Sequence, residues 1–290
     1  MSRCIHTVSG VAEMRKKRAE MVGKKVGFVP TMGALHQGHI SLCEAAARDC
    51  DEIVASIFVN PTQFAAHEDL GTYPRDLEGD LDKLSQIPKV TTVFYPDAKE
   101  MYPDGLDLVY VGVDHFEETL REGKSRPGHF RGVATIVTKL LNVVQPHIAY
   151  FGQKDAGQCI VIQNLVKELM INTHIEKVPT LREPDGLAMS SRNMYLTESE
   201  RPDAIYLYNA LVACKKLYDN GNRQGSDILQ EGLDILGKCN KIEILYLDLC
   251  YSDSGASIKM GDEIEGGKRV IVSGAIMLGK TRLIDNLILG

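Results

Sequence analysis

Two histidines three residues apart are the first candidates for chemistry in this sequence. His36 and His39 belong to the segment Pro-Thr-Met-Gly-Ala-Leu-His-Gln-Gly-His, residues 30–39, which follows a predicted buried strand and enters a predicted helix. On a first helical turn the two side chains share a face, and the turn offers backbone N–H groups and a positive dipole end to phosphate. Both imidazoles can donate hydrogen bonds to phosphoryl oxygens as negative charge develops. Alternatively, one histidine caps the loop and the other lies at the surface.

The same segment carries two glycines, Gly33 and Gly38. Glycine allows the backbone to approach a ligand closely, because it has no side chain. We do not predict the two histidines to be metal ligands, because the Mg²⁺ that accompanies nucleotides prefers oxygen. The segment therefore predicts a phosphate site without a metal site made by the protein.

A second polar segment, Leu-Ala-Met-Ser-Ser-Arg-Asn, spans residues 187–193. The hydroxyls of Ser190 and Ser191 are good phosphate ligands, and the guanidinium of Arg192 can bind two oxygens at once. The segment lies near a predicted domain boundary, where a loop could close over a bound nucleotide. An ordinary polar loop is the alternative interpretation.

Polar residues also follow two other predicted strands. Lys154 lies in the turn between the strand at residues 148–151 and the next helix, and it can place a positive charge on a transferring phosphate. Asp155 can cap the next helix or help to hold Mg²⁺. Gln63 and Gln158 carry amides that donate and accept hydrogen bonds, which suits a substrate with hydroxyls and a carboxylate.

The elements that position these residues alternate between strand and helix through the first two thirds of the chain. This alternation predicts an α/β fold, a Rossmann-like doubly wound parallel sheet with helices on both faces. Ligands bind at the carboxyl ends of strands in such sheets, where the segments above lie. The predicted strands are residues 25–29, 52–59, 92–95, 108–113, 148–151 and 175–178, and the predicted helices are 40–50, 76–87, 131–144 and 156–170.

The pattern changes after about residue 196. Two surface helices at residues 197–218 and 226–238 precede two strands at 242–249 and 269–277. We predict a nucleotide-binding domain at residues 1–180 and a smaller α+β lid domain at 181–290, which carries the 187–193 loop.

Composition narrows the class of protein. The 290 residues carry a formal net charge of -6, and an acidic chain lacks the broad basic surface that nucleic-acid binding usually needs. No apolar run approaches the roughly 20 residues of a membrane span. The seven cysteines form no Cys-x-x-Cys pair, which favours reduced thiols in the cytoplasm. They are Cys4, Cys43, Cys50, Cys159, Cys214, Cys239 and Cys250.

The histidine segment resembles the H-x-G-H signature of class I synthetases and nucleotidyltransferases, and this signature alone does not choose among tRNA synthetases, nucleotidyltransferases and small ligases. The 187–193 segment resembles their K-M-S-K-S loop, with Ala188 in place of the first lysine, which disfavours a tRNA synthetase. Together the segments resemble the pantoate–β-alanine ligase family, also called pantothenate synthetases. The resemblance rests on residues 30–39, 56–64, 73–75, 126–133, 151–158, 185–193 and 279–286.

The resemblance implies ATP-dependent condensation of pantoate with β-alanine through a pantoyl-adenylate. It further implies a homodimer that uses Mg²⁺, with His39 as proton donor and Gln63 and Gln158 as pantoate ligands. Family members often have Glu in place of Gln153 and different residues in place of Ala156-Gly157, so the resemblance does not define the shape of the pocket. The implied ATP-binding residues are Met32, Gly33, Ala34, Leu35, His36, Gln37, Gly38, His39, Gly152, Gln153, Lys154, Asp155, Leu181 (through its backbone), Met189, Ser190, Ser191 and Arg192.

Two other functions remain alternatives to the ligase. A nucleotidyltransferase would keep the nucleotidyl group in its product, whereas the ligase would release AMP and form an amide. A nucleotide-sensing relative without catalytic activity would be expected to lack some of the charged and polar site residues, and all of them are present here.

Overall fold

The structure, a computed structural model, describes residues 5–65, 68–106, 108–259 and 261–290. It divides into two compact units. Unit 1 comprises Met1–Glu117, Arg126–Gly152 and Val161–Pro179, and unit 2 comprises Glu118–Ser125, Gln153–Ile160 and Thr180–Gly290. The domain boundary at residue 180 stays a prediction.

Unit 1 is built on a six-stranded parallel sheet with the strand order β1-β4-β3-β2-β5-β6. The predicted α/β class is confirmed by this sheet and its flanking helices. The order reverses between β2 and β5, which are neighbours although β3 and β4 separate them in sequence. Such a switch point forms the ligand-binding crevice of open α/β sheets. The strands are β1 (His6–Val8), β2 (Val26–Thr31), β3 (Glu52–Ile57), β4 (Val90–Phe94), β5 (Ile148–Gly152) and β6 (His174–Val178).

Helices cover the sheet because its strands are apolar on both faces, as expected for parallel strands. The helix α2 buries Ile40, Cys43 and Ala46 against side chains of β2 and β5, including Val29 and Tyr150. The helix α7 is apolar around most of its surface and packs on α1 and β2. The helices up to β6 are α1 (Val11–Ala19), α2 (Gln37–Asp49), α3 (Leu77–Ser85), α4 (Ala98–Met101), α5 (Asp114–Thr119), α6 (Arg121–Ser125), α7 (His129–Val144) and α8 (Ala156–Glu168).

Unit 2 contains a three-stranded antiparallel sheet, β7 (Ile242–Tyr251), β8 (Val270–Leu278) and β9 (Thr281–Leu289). The helices α9 (Tyr206–Asp219) and α10 (Gly225–Leu236) pack on this sheet and on each other. The buried cluster that joins them includes Leu211 and Cys214 of α9, Ile228 of α10, and Val272 and Ile276 of β8. The predicted smaller α+β fold is confirmed for this part of the chain.

Two predicted elements differ from the structure, and two observed strands were not predicted. Residues 108–113 form no strand, because the N–H of Val111 donates to Oγ1 of Thr135 (2.9 Å) instead of joining a sheet. The helix predicted from residue 197 begins only at Tyr206, although Glu200 accepts the N–H of Thr197 (2.9 Å) as in a helix start. The strands β1 and β9 have no counterpart among the predicted strands.

Candidate active site

The turn after β2 depends on a glycine at position 33. Gly33 has a φ of 84°, in the left-handed region that glycine adopts at little cost. A Cβ atom there would lie 3.0 Å from Cγ2 of Ile57 and 3.1 Å from Oδ2 of Asp80. Thr31 closes the turn, because its Oγ1 accepts the Gly33 N–H (3.2 Å) and donates to the carbonyl of Ser56 (2.7 Å).

A buried carboxylate fixes the same turn, and sequence reasoning missed it. Oδ2 and Oδ1 of Asp80 accept the N–H groups of Ala34 (2.9 Å) and Leu35 (2.6 Å). Burial raises the pKa of Asp80, and these two hydrogen bonds oppose that rise. The signal was available, because Asp80 shares the buried face of α3 with Leu77 and Leu84 at helical spacing.

His36 and His39 lie together at the start of α2, with ring centroids 4.1 Å apart. His36 is the N-cap, and its Nδ1 accepts the N–H of Gly38 (3.1 Å), while Nδ1 of His39 accepts the N–H of His36 (3.3 Å). A neutral imidazole whose Nδ1 accepts carries its proton on Nε2. Both rings therefore present an Nε2–H donor, so capping and phosphate binding are compatible.

Gln63 ends a 3₁₀ turn that follows β3, and its side chain is held from two sides. Nδ2 of Asn60 donates to Oε1 of Gln63 (3.1 Å), and Nε2 of Gln63 lies 3.3 Å from Sδ of Met32. Asn60 is buried and also accepts from the hydroxyl of Tyr102 (2.8 Å). The amide of Gln63 thus has a fixed orientation beside the first candidate ATP-binding residue, Met32.

The backbone of Gln63 is fixed by the Arg-Pro-Gly-His segment before α7. Nδ1 of His129 lies 2.9 Å from the carbonyl oxygen of Gln63, which can only accept, so Nδ1 is the donor. Nε2 of His129 therefore accepts from Nη1 of Arg126 (2.8 Å). Arg126 in turn forms a two-point ion pair with Glu68, at 2.6 and 2.7 Å. The resemblance pointed to this segment without giving it a role.

In unit 2, Lys154 follows β5 by two residues and is mostly buried. Its Nζ lies 3.7 Å from Oδ1 of Asp155. Lys154, Ser190 and Arg192 line a single cavity, together with Arg282 of β9. Three of the groups that the sequence suggested for phosphate therefore lie around one space in this unit.

The 187–193 loop continues from a small hairpin at residues 181–189, in which Arg182 and Ala188 form an antiparallel bridge. Met189 donates its N–H to the carbonyl of Leu181 (3.0 Å), so that backbone position is already engaged through its oxygen. Oγ of Ser190 accepts the N–H of Arg192 (3.2 Å) and caps the 3₁₀ helix Ser191–Tyr195. Asn193 donates to the carbonyl of Ala188 (3.0 Å), which closes the loop.

The remaining candidates are placed as follows. Gln37 and Gly38 begin α2, and Gln158 lies half-buried on the first turn of α8. Gln153 is buried and donates to Oδ1 of Asn286 (3.2 Å). The candidate residues up to Gly152 belong to unit 1, and Gln153, Lys154, Asp155, Gln158, Leu181, Met189, Ser190, Ser191 and Arg192 belong to unit 2.

The cysteines of the described ranges form no disulfide. Burial raises the pKa of Cys43, Cys214 and Cys250 to about 12, which makes these three poor nucleophiles at neutral pH. Cys4 lies outside the described residues. Within those residues, no group of three or more His, Cys, Asp or Glu side chains could hold a metal ion.

Comparison with known proteins decides the family. A sequence model described as pantoate–β-alanine ligase matches residues 3–288. The chain belongs to the pantoate–β-alanine ligase family. It is 47% identical over 286 residues to the pantothenate synthetase of Acetivibrio thermocellus, covering 99% of each chain. It is 45% identical over 285 residues to that of Thermotoga petrophila, covering 98% of this chain and 99% of the relative.

Solved structures of family members have the same fold. The pantothenate synthetase of Thermus thermophilus matches with a TM-score of 0.88 and 42% identity, over 98% of this chain and 99% of that one. A pantoate–β-alanine ligase from Francisella tularensis, complexed with β,γ-ATP and β-alanine, matches with a TM-score of 0.78 and 35% identity, over 98% of each chain. The family resemblance read from the sequence is therefore confirmed. None of the helices in the described ranges is long and apolar enough to cross a bilayer.

Proposed function

We propose that this ligase condenses pantoate with β-alanine in an ATP-dependent reaction, through a pantoyl-adenylate, and releases AMP and pyrophosphate. The observation that carries the proposal is the match of the family's sequence model to residues 3–288. The complex of the Francisella relative with an ATP compound and β-alanine supports both co-substrates. The paired Nε2–H donors of His36 and His39 after β2 supply the phosphate chemistry that such a reaction requires.

In the first half-reaction, a carboxylate oxygen of pantoate attacks the α-phosphorus of ATP, and the bond to the β-phosphate oxygen breaks. Pyrophosphate takes the electron pair of that bond. His36, His39 and Lys154 stabilise the negative charge that develops, with Ser190, Ser191 and Arg192. Positioning and electrostatics provide most of the acceleration in phosphoryl-type transfer, because the protein forms no covalent bond.

In the second half-reaction, the neutral amine of β-alanine attacks the carbonyl carbon of the adenylate. The amide bond forms, the bond to the AMP oxygen breaks with its electron pair going to AMP, and the nitrogen releases its extra proton to water. We propose that the proton-donor role of His39 is a hydrogen bond from its Nε2–H to the oxygen of the leaving group, since Nδ1 of the neutral ring accepts the N–H of His36. No cysteine or serine nucleophile is needed, in agreement with the raised pKa of the buried thiols.

Mg²⁺ enters this proposal as the partner of ATP. It usually binds one or two carboxylates together with substrate phosphates and waters, so a cage made by the protein is not required. Asp155, next to Lys154 and partly exposed, is the carboxylate that we propose for it. The ion would neutralise phosphate charge and orient the triphosphate.

The pantoate ligands in this proposal are Gln63 and Gln158. A carboxylate and hydroxyls need both donors and acceptors, and a glutamine amide provides both. Gln63 has its amide oriented by Asn60 and its carbonyl held by His129, which supports a binding role. The β-alanine site is proposed to lie beside Gln63.

We propose a homodimer in which residues 108–110 contribute to the interface. Leu108, Val109 and Tyr110 are 69%, 71% and 57% exposed in the single chain, and adjacent exposed apolar residues favour a protein contact. Val109→Asp should shift the mass measured by light scattering towards the monomer. An unchanged mass would show that residues 108–110 do not form the interface, and a monomeric native protein would contradict the dimer.

We propose a cytoplasmic location, because reduced cysteines are typical of that compartment.

Isotope exchange between pyrophosphate and ATP tests the proposed function. Exchange should require pantoate and Mg²⁺ and should not require β-alanine, because the adenylate forms first. Addition of β-alanine should then yield AMP and an amide. A product that retains the nucleotidyl group would favour a nucleotidyltransferase, and the absence of pantoate-dependent exchange would contradict the ligase.

A further inference from the structure

Asn286 of β9 binds the backbone on both sides of Lys154. Its Nδ2 donates to the carbonyl oxygen of Gln153 (2.8 Å) and to the carbonyl oxygen of Lys154 (2.9 Å). Its Oδ1 accepts from Nε2 of Gln153 (3.2 Å). Asn286 is 3% exposed, so these bonds form away from bulk water, and all three residues belong to unit 2.

The two carbonyl groups belong to the two peptide planes that meet at the Cα atom of Lys154. A backbone has only two soft dihedral angles at each residue, so fixing both planes fixes φ and ψ of Lys154. The direction of the Cα–Cβ bond follows from these angles. Asn286 therefore sets where the Lys154 side chain starts, without contacting its ammonium group in any described hydrogen bond.

An amide is well suited to this position. An NH₂ group supplies two donors from one atom, and the amide oxygen remains available as an acceptor. Aspartate would turn a carboxylate oxygen towards two carbonyl oxygens, and alanine would leave both carbonyls without these donors. Buried polar groups without partners are costly, so neither residue reproduces the arrangement.

Asn286 is itself anchored in the sheet. It pairs with Ser273 in the register of β8 and β9, its N–H donates to Oδ1 of Asp285 (2.8 Å), and its carbonyl accepts from Nη2 of Arg182 (3.3 Å). Side chains that act on a catalytic group need rigid support of this kind.

We propose that Asn286 is a positioning residue for adenylation, which acts by holding Lys154 in the orientation that reaches the transferring phosphate. The inference rests on the proposed function, because it assigns Lys154 to that phosphate. It adds a role for a residue near the end of the chain, within residues 281–286, that the family resemblance left without one.

A double-mutant cycle in the pantoate-dependent exchange assay tests the inference. Asn286→Ala should lower the exchange rate at saturating substrates by about tenfold or more, because misplacement of a catalytic group by about 1 Å can be that costly. In the background of Lys154→Ala, the same substitution should change the rate by less than about twofold, since its target is gone. The matched control is Asn220→Ala, an exposed residue of the same unit, which should keep native exchange.

An equal loss in both backgrounds would overturn the inference, because a general weakening of the fold acts independently of Lys154. If Asn286→Ala shows no cooperative unfolding transition, the same double-mutant cycle is measured with Asn286→Ser, whose hydroxyl retains one donor. The result of that cycle then tests the inference. Hydrogen exchange of the Cys159 amide, whose N–H donates to the carbonyl of Asp155 beside Lys154 (2.9 Å), provides a readout independent of activity. It should accelerate in the variant, and unchanged exchange would contradict the proposal. A wild-type protein without pantoate-dependent exchange would instead refute the proposed function.

Discussion

The backbone N–H of His36 donates to Nδ1 of His39, at 3.3 Å, across the first turn of α2. This bond and the reciprocal acceptance of the Gly38 N–H by His36 satisfy orphan donors of the helix. Because both Nδ1 atoms accept, both protons reside on Nε2. Each histidine therefore uses Nδ1 for a structural hydrogen bond and carries on Nε2 the proton that we propose for phosphate binding.

The first prediction separates these two tasks at His36. Asparagine is among the best N-cap residues, whereas alanine is among the poorest. His36→Asn should keep the free energy of unfolding within about 0.5 kcal/mol of the native value, and His36→Ala should lower it by about 1 kcal/mol. Both should lower pantoate-dependent exchange on the order of a hundredfold, because both lose the Nε2–H donor. Native exchange in His36→Asn would confine His36 to capping.

The second prediction concerns Gly132, inside α7. Replacing a helical glycine by alanine usually stabilises a helix by about 0.5–1 kcal/mol. Here a Cβ atom would lie 2.8 Å from Cα of Gln63 and closer still to the carbonyl group of Thr62, which are backbone atoms that cannot turn aside. Gly132→Ala should therefore destabilise the fold and raise KM for pantoate more than KM for ATP. Thermal unfolding and initial rates measure both effects, and a stabilised variant with native KM values would contradict the contact.

The third prediction is a pH dependence set by Glu68. Burial alone would raise the pKa of this carboxyl, but the hydrogen bonds and charge of Arg126 outweigh burial and lower the pKa to about 2. A depressed folded-state pKa gives stability that is present above the unfolded-state pKa and is lost as pH falls towards the folded value. The native protein should lose up to about 3 kcal/mol between pH 5 and pH 2 through this group.

Glu68→Gln removes the titrating group and is the control for this prediction. Its free energy of unfolding should be lower than that of the native protein at pH 7, because Arg126 loses its partner. The free energy of unfolding of Glu68→Gln should depend less on pH between 5 and 2. The free energies of the variant and of the native protein should therefore converge as the pH falls. Urea unfolding at a series of pH values measures this, and parallel curves would refute the role of Glu68.

The sequence was sufficient for the strands β2 to β6 of the unit 1 sheet because strand and helix alternate there with clear apolar patterns, but the three-residue edge strand β1 (His6–Val8) was not predicted. It also located the histidine turn, the Lys154 turn and the 187–193 loop, each of which follows recognisable strand or loop signals. It misplaced residues 108–113, whose β-branched and aromatic residues have strand propensity but find no strand partner within the described chain. The strand propensity of a segment does not specify which other segment would pair with it in a sheet.

Contacts between distant parts of the sequence were the other omission. Asn286 acts on residues 153 and 154, which lie 133 and 132 positions earlier, and Asp80 acts on a turn 46 and 45 positions earlier. No local spacing encodes such pairs. Asp80 left a trace as an acid on an apolar helix face, whereas Asn286 left none beyond its place in the family resemblance.

The last prediction compares two Arg–Asp pairs of unit 2 that differ in burial. Arg182 donates to both carboxylate oxygens of Asp285, at 2.6 and 2.9 Å, with side chains 17% and 4% exposed. Arg201 donates to Asp185 at 2.7 Å, with side chains 37% and 44% exposed. Arg182 also donates to the carbonyl of Gly186 (3.0 Å), so the buried pair holds the hairpin that leads into the 187–193 loop.

Loss of one member of a buried pair leaves an uncompensated charge and costs about 3–5 kcal/mol, whereas exposed pairs contribute about 0–1 kcal/mol. Asp285→Asn should therefore lower the free energy of unfolding by about 3 kcal/mol or more, and Asp185→Asn by less than about 1 kcal/mol. The chemical change is identical, so burial and geometry are the variables. Urea denaturation at pH 7 measures both, and equal losses would show that the Arg182–Asp285 pair does not stabilise the hairpin. Asp285→Asn should also reduce pantoate-dependent exchange, because the loop that carries Ser190 and Arg192 starts from that hairpin.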